Sequence, residues 1–392
     1  MDLQQKILES GQKHSVKTLL ISPFFYPEPI STGKYNTDLA INLVKQGYEV
    51  HVWCYHPFYP DWKTKKSTKQ LKNIVINRGG LYVPFFGKQL IDRFILEISF
   101  LFFLFFQRAR TKHAFDNVVF VSPPSLSIFL LKTFKKAKQK VIIVHDLQFI
   151  HLETKIKWLS KIVFWVEKRL LGYGTKLIFL SKEMNNYFSF KNHKNHIQTY
   201  VQLPFVNIKS TPLEKPILKQ GVNIVYSGAL GAKQSPDQLM SLFQYVAEKE
   251  PAWNFYFISS GGYFEHIKGK NQLDNIHFMP LVDEKQLFQL YTESTVQIIP
   301  QSPGSSAGSL PSKLPNLVFS KTKILAITDS NSDLERIIKK YPNGVCVNSW
   351  NKNDFLTSIK KLIQQNNSID TNKIDEICSK HFSIDSLISK II

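Results

Sequence analysis

Short apolar, β-branched runs alternate with helix-period stretches along nearly the whole chain, and the series starts twice. Val16–Ser22, Glu49–Tyr55, Val118–Ser122, Lys140–Val144 and Lys176–Leu180 read as strands of a first series. Val222–Ser227, Asn254–Ser259, Asn275–Met279, Thr295–Ile299 and Thr322–Thr328 form a second. Runs of this length and apolarity, each followed by helical material, predict parallel sheets covered by helices on both faces, an α/β class. The restart near residue 220 follows Pro204, Pro212 and Pro216, and 392 residues suffice for two domains. The economical division is residues 1–205 and 206–375, with 376–392 a C-terminal helix returning to the first domain. No 20–50-residue period repeats, so the chain is not a solenoid. In doubly wound sheets ligands bind beyond the carboxyl ends of the strands, which directs attention to the loops after them.

Charge narrows the partners. Fifty Lys and Arg against 30 Asp and Glu leave a net charge of +20, a field that attracts nucleic acid, anionic membrane or phosphorylated ligands. No zinc-finger spacing, RNP-type aromatic motif or basic region followed by heptads is present, so no nucleic-acid partner is expected. Cys54, Cys346 and Cys378 lie far apart outside any CxxC spacing, which argues against a disulfide framework or structural zinc and suits a reducing compartment. The polar first fifteen residues predict no signal peptide and a cytoplasmic location. Phe94–Phe106 reads FILEISFLFFLFF, flanked by Arg93, Arg108, Arg110 and Lys112. A helix of that length covers about 20 Å, short of a hydrocarbon core of roughly 30 Å, so it should not span. Two readings stay open: a buried helix, or one dipped into a membrane interface with its basic flanks on lipid phosphates.

Four loops offer chemistry. After strand Ile224–Ser227 come Gly228, Gly231 and Lys233, and a helix opens at Ser235-Pro236, with Ser235 suited to the N-cap and Pro236 to N1. Glycines there let backbone N–H groups approach an anion, and Lys233 adds a point charge; an ordinary glycine turn is the alternative. The loop lacks both Walker A and G-x-G-x-x-G spacing, which leaves ATP and NAD without support. In the first half, Pro27 to Asn36 contains Gly33 and Lys34 before a helix expected over Asn36–Lys45, closed by Gly47. His145-Asp146 ends the strand Val141–Val144 and suits sugar hydroxyls or proton shuttling. Finally, Gly304 to Asn316 is a small-residue loop entering a helix, with Ser312 and Lys313 in its first turns; a plain surface loop is the alternative.

Four stretches together carry a resemblance: ISPFFYPEP…STGKYN…LVKQGYEVHVWCYHPFYPDW, VSPP…VIIVHD, VYSGALGAKQ, and PSKLPN…KILAITD, in order from about Lys17 to Glu335. The chain resembles the retaining family 4 glycosyltransferases, and within them bacterial colanic acid and O-antigen fucosyl- and N-acetylfucosaminyltransferases. That resemblance implies a GT-B fold, two Rossmann-like domains facing each other across a cleft. It also implies a nucleoside-diphosphate sugar held by the C-terminal domain and an acceptor, commonly a polyprenyl-diphosphate-linked saccharide, on the N-terminal one. Lys233 would meet the donor diphosphate, with Gly33 and Lys34 facing the same phosphates. His145, with Asp146, would lie by the donor sugar, and Ser312, Lys313 and Asn316 would share the donor contacts with Gly228 and Gly231. No metal or other cofactor is implied, and no Asp-x-Asp triplet occurs. A lipid-linked acceptor makes the inner leaflet a partner and favours the interfacial reading of Phe94–Phe106. A second aromatic-basic stretch points the same way: Trp158, Phe164 and Trp165 with Lys157, Lys161, Lys168 and Arg169.

The chain departs from the family pattern at three positions. Ala229 stands where an arginine is usual, and Gly308 and Asn316 stand where two glutamates eight residues apart are usual. More of the donor grip would then fall on Lys233. No carboxylate pair at glycosidase-like spacing supports a double displacement. Two other functions fit the same fold: a nucleotide-sugar 2-epimerase, and an inactive scaffold bound to the inner leaflet.

Overall fold

The computed structural model describes residues 16–28, 30–58, 63–80, 89–147, 149, 157–188, 197–210, 215–306, 310–365 and 370–392. The chain divides into two compact units. The first comprises residues 1–178, 190–200 and 387–392, the second residues 179–189 and 201–386.

The first unit is built on strands β1 (Lys17–Ile21), β2 (Glu49–Tyr55), β3 (Ile74–Gly79), β4 (Asn117–Ser122), β5 (Gln139–Val144), β6 (Lys176–Phe179) and β7 (Gln198–Val201), in the order β3-β2-β1-β4-β5-β6-β7. Every residue of β4 is buried, as expected of a central strand covered on both faces. Helix α1 (Ser31–Lys45) crosses from β1 to β2. It begins five residues before the sequence suggested, so Gly33 and Lys34 lie in its first turn rather than in a loop. Gly47 closes it at φ +89°, a conformation glycine adopts freely, with its N–H on the Val44 carbonyl.

Helix α2 (Gln89–Arg110) contains the Phe94–Phe106 segment and is about 33 Å long. No described helix is long and apolar enough to cross a membrane. Its Leu96, Phe100 and Leu104, spaced by four, are buried, whereas Phe94, Phe102, Phe105 and Phe106 on its other faces are more than half exposed. Buried Glu97 anchors the helix by accepting the N–H groups of Ser125 and Leu126 at 2.8 and 2.9 Å. A 3₁₀ helix (Leu126–Thr133) packs between α2 and helix α3 (Lys157–Leu171), and Glu167 of α3 accepts the Ser125 hydroxyl.

After the short helix α4 (Lys182–Tyr187), the second unit carries β8 (Asn223–Ser227), α5 (Pro236–Lys249), β9 (Asn254–Ile258), α6 (Gly262–Gly269), β10 (Ile276–Met279), α7 (Leu287–Glu293) and β11 (Val296–Pro300). It continues with α8 (Leu314–Phe319), β12 (Ile324–Ile327), α9 (Asp333–Ile338), β13 (Gly344–Val347), α10 (Lys352–Gln364) and α11 (Thr371–His381). Helix α12 (Ile384–Ile391) ends the chain, and its last residues group with the first unit. The second sheet is parallel throughout, in the order β10-β9-β8-β11-β12-β13. Each sheet therefore reverses its strand order once, between β1 and β4 and between β8 and β11. Such switch points open a crevice at the carboxyl edge, where ligands of this architecture bind.

Candidate functional site

The β8–β11 ladder pairs Ile224 with Val296 and Val225 with Gln297 and ends there, whereas β8 pairs with β9 over five residues. Carbonyls beyond that end need other partners. The Lys313 ammonium supplies one, donating to the carbonyls of Ser227 at 3.1 Å and Ile298 at 2.8 Å. It also lies 4.6 Å from the centroid of the Tyr226 ring, a cation–π contact. Two of its three donors thus brace the protein at the switch point.

The loop after β8 is shaped by its own contacts. Gly228 sits at φ +125°, a region closed to most L residues, and its N–H completes the sheet by donating to Ile258. The Gly231 N–H donates to the Gln234 side chain at 3.0 Å. Both N–H groups that the glycine pattern offered to an anion are therefore engaged within the protein. A 3₁₀ turn (Ala232–Gln234) follows, and its Lys233 carbonyl accepts the Ser302 N–H at 2.7 Å. That bond ties the loop after β8 to the loop after β11. Ser235 occupies the N-cap position of α5 at φ +45° without a side-chain cap, and Pro236 is at N1. Asp329 holds the second loop from the other side, accepting the Gly304 N–H at 3.0 Å with each carboxylate oxygen.

These loops enclose a pocket of about 270 Å³ at the switch point. Lys233, Gln301, Ser305, Ser312 and Lys313 give it a cationic and hydroxylic side, and Tyr226, Ile258, Leu281, Val282, Leu287, Leu290 and Tyr291 an apolar one. A concave site of that composition suits a ligand with an anionic group joined to a flat or apolar one. Burial pushes Lys313 down to about 7, because charge is penalised away from water. Between about 7 and the ordinary lysine range the folded chain then holds fewer protons than the unfolded one, so Lys313 makes stability rise with pH across that window. A diphosphate beside it would restore the charge. Binding of UDP or GDP at about pH 8 is expected to take up part of a proton, read by calorimetry in buffers of different ionisation heat. Lys313→Gln is expected to abolish that uptake and flatten the rise in stability; undiminished uptake would place the titrating group elsewhere.

The other site residues fall into distinct places. Asn316 is buried in α8, outside the pocket lining, and its amide is exchanged with Asn207: its oxygen accepts the Asn207 N–H at 3.0 Å and its nitrogen donates to the Asn207 side chain at 2.7 Å. That pairing holds the 203–208 segment against α8 and leaves the amide little capacity for a nucleotide. Gly308 lies outside the described residues. Gly33 sits tightly in its turn, since a Cβ there would come within 3.2 Å of the Glu28 carbonyl oxygen. Lys34 follows in the same turn, half-buried, its N–H on Ile30. His145 extends the β4–β5 ladder by donating its N–H to Ser122 at 2.8 Å. Burial lowers its imidazole to about 4 against an upward pull from Asp146, so it is neutral at pH 7. One Asp146 oxygen accepts the Leu147 N–H. Gly228, Gly231, Lys233, Ser312 and Lys313 thus meet around the second switch point, and His145 and Asp146 stand at the carboxyl edge of the first sheet. Tyr226 and Asp329 lie within the motifs read from the sequence but were given no role there, and Tyr291 was not singled out. The signal for the tyrosines was their place on a strand and a helix bordering the switch point.

No family model matches the chain. Among curated proteins it is similar to the putative colanic acid biosynthesis glycosyl transferase of Escherichia coli K12, with 21% identity over 389 residues, covering 90% of this chain and 94% of that protein. Among solved structures it is similar to the sucrose-phosphate synthase of Thermosynechococcus elongatus (TM-score 0.70, 14% identity, 96% of this chain and 97% of that one). It is also similar to a lipopolysaccharide outer core galactosyltransferase (TM-score 0.61, 14% identity, 96% and 99%). A trehalose-6-phosphate structure from E. coli bound with UDP-2-fluoro glucose superposes at a TM-score of 0.66 with 11% identity, covering 96% and 99%. These likenesses extend over nearly the full chain and establish its fold as GT-B, two Rossmann-like domains. The resemblance to colanic acid transferases seen in the motifs is met by a relative of that description.

Proposed function

We propose that the protein is a glycosyltransferase that moves a sugar from a nucleoside diphosphate to a saccharide acceptor. The observation that carries this reading is the pocket at the second switch point, with lysines on one side and tyrosines and aliphatics on the other. A diphosphate fits the first side and a nucleoside the second. Breaking the sugar–diphosphate bond builds negative charge on the leaving group, which Lys233, on the pocket wall, would stabilise. Lys313 keeps the β8 and β11 ends at a fixed separation while adding a charge that a bound anion would strengthen. Neutral His145 serves as a hydrogen-bonding group toward the donor sugar rather than as a resident acid. In this reading Gly33 and Lys34 keep the donor-phosphate role that the resemblance implies.

The colanic acid relative named above supports an acceptor in bacterial surface polysaccharide synthesis; the motif resemblance extends this proposal to an O-antigen role, a polyprenyl-diphosphate carrier and retention at the anomeric carbon. The exposed aromatic side chains of α2 and α3 fit peripheral attachment to the inner leaflet of the cytoplasmic membrane. UDP-, GDP- and dTDP-sugars offered with a synthetic lipid-diphosphate acceptor test the reading by mass spectrometry. The expected result is one hexose-type mass increment from one donor class. Interconversion of a donor without acceptor would instead make the protein an epimerase. Failure of UDP, GDP and dTDP alike to bind would make it a scaffold.

A further inference from the structure

The carboxyl edge of the first sheet holds a guanidinium whose donors the protein does not use up. Arg78 is the penultimate residue of edge strand β3 and pairs in register with Cys54 of β2. Its Nη2 donates to the Tyr26 carbonyl in the loop after β1 at 2.5 Å. Its Nε and Nη1 are shielded from water and have no hydrogen-bond partner among the described residues. Bracing one carbonyl needs one donor, which a neutral side chain supplies without burying a charge. An unpaired charged donor away from water is costly and calls for an explanation.

The surroundings point to a ligand. His56 follows β2, its N–H on the Gly79 carbonyl at 3.0 Å, and burial together with the charges of Arg78 and Lys66 keeps its imidazole below the ordinary range. The Lys65 N–H donates to Pro57 at 2.7 Å and so draws the 64–66 segment to this turn. There the Thr64 hydroxyl is also buried without a partner. Glu28, the nearby carboxylate, accepts the Phe58 N–H at 2.6 Å. Beneath them the Cys54 thiol is pushed up to about 12 by burial and stays a neutral packing group. The Arg78 guanidinium at the end of β3 and the His56, Thr64 and Lys66 side chains of the segment after β2 therefore share the carboxyl edge of the sheet, where ligands of this architecture bind.

We propose that Arg78, with Thr64 and Lys66, forms an anion subsite on the first unit that takes a phosphate or carboxylate group of the acceptor. This rests on the glycosyl-transfer reading, in which the first unit receives the acceptor. The guanidinium matches either anion: each edge of its fork offers parallel N–H donors to two oxygens. The two sources are the diphosphate of a lipid-linked saccharide and the carboxylate of an acidic sugar.

The test titrates inorganic pyrophosphate and glucuronate into the full chain, wild type and the variants Arg78→Gln, Arg78→Lys and Lys233→Ala. Pyrophosphate is expected at two sites in wild type, one lost in Lys233→Ala and the other weakened about 10- to 100-fold in Arg78→Gln. Arg78→Lys keeps the charge and the Tyr26 contact, and is expected to bind with intermediate affinity and an unchanged melting curve. Arg78-dependent binding that favours pyrophosphate by tenfold or more, by the same arithmetic, assigns the diphosphate; the reverse preference assigns the acidic sugar. Unchanged binding of both probes in folded Arg78→Gln and Arg78→Lys overturns the subsite, as does a lower melting temperature with no change in affinity. Nucleotide-sugar binding is measured on the same samples. Its absence from wild type would overturn the transferase reading and leave the anion measurement standing.

Discussion

Lys233→Ala is expected to lower the rate of sugar transfer by on the order of 10²- to 10³-fold, the usual cost of removing one charge-stabilising group from a developing anion. The other candidates have less to offer the leaving group. The Gly228 and Gly231 N–H groups are spent on Ile258 and Gln234, two Lys313 donors are spent on strand carbonyls, and Ala229 has no charge to offer. Lys233 is half-buried on the pocket wall, so its ammonium would act where water screens it less than at an open surface. The fold should survive the substitution, because the bond that joins the two loops uses the Lys233 backbone carbonyl, which alanine keeps. A lysine that acts on the leaving group lowers kcat, whereas one that only attracts the donor raises KM. The measurement is therefore a kcat and KM determination beside a melting curve. Full activity in a folded Lys233→Ala variant would remove Lys233 from the site.

Central strands were legible in the sequence, and three of the four edge strands were not, for a physical reason. Every residue of β4 and β8 is buried, so these strands read as unbroken apolar runs. The three strands missing from the sequence reading are β3, β7 and β13, all at sheet edges. One side of an edge strand faces solvent, and IVINRG, QTYV and GVCV carry half-buried or exposed positions that break the pattern. The early start of α1 was hidden by Gly33, which reads as a loop residue but lies buried in the first turn of the helix, where a Cβ would crowd Glu28. Candidate site residues were read where a glycine or lysine follows a central strand. Their partners were not: nothing local in the sequence says that Lys313 turns toward Ser227 and Ile298, or that Asn316 exchanges its amide with Asn207. Arg78 was missed for the same reason as its strand. The buried reading of Phe94–Phe106 holds for one side of the helix. Its Leu96, Phe100 and Leu104 stripe is core, and Phe94, Phe102, Phe105 and Phe106 stand outside it.

The exposed aromatic residues give the second large expected effect. Trp158 and Trp165 of α3 are 67% and 64% exposed, and Ile162 between them and Phe129 of the neighbouring 3₁₀ helix are each half exposed. Phe102 and Phe105 are likewise exposed on α2, which packs on the same 3₁₀ helix as α3. These side chains are accompanied by Lys157, Lys161, Lys168 and Arg169 on α3 and by Lys132, whose ammonium lies 4.8 Å from the Phe129 ring centroid. Large apolar groups left in water among cations match the interface of an anionic bilayer, where rings enter the acyl boundary and lysines stay at the phosphates. Each lysine or arginine near such a surface contributes about 1 kcal/mol, and the rings add more by leaving water. Full-length protein is expected to sediment with vesicles containing phosphatidylglycerol and much less with phosphatidylcholine alone. Joint replacement of Phe102, Phe105, Trp158 and Trp165 by Ser removes four apolar contacts. At about 1 kcal/mol each, a conservative share of a full burial, affinity should fall roughly 10³-fold. Because all four side chains are more than half exposed, melting and transfer to a water-soluble acceptor should hardly change, whereas transfer to a vesicle-borne acceptor should collapse. Sedimentation as strong as wild type would show that these residues do not meet the bilayer. Equal loss of transfer to both acceptors would show that they serve catalysis or folding instead.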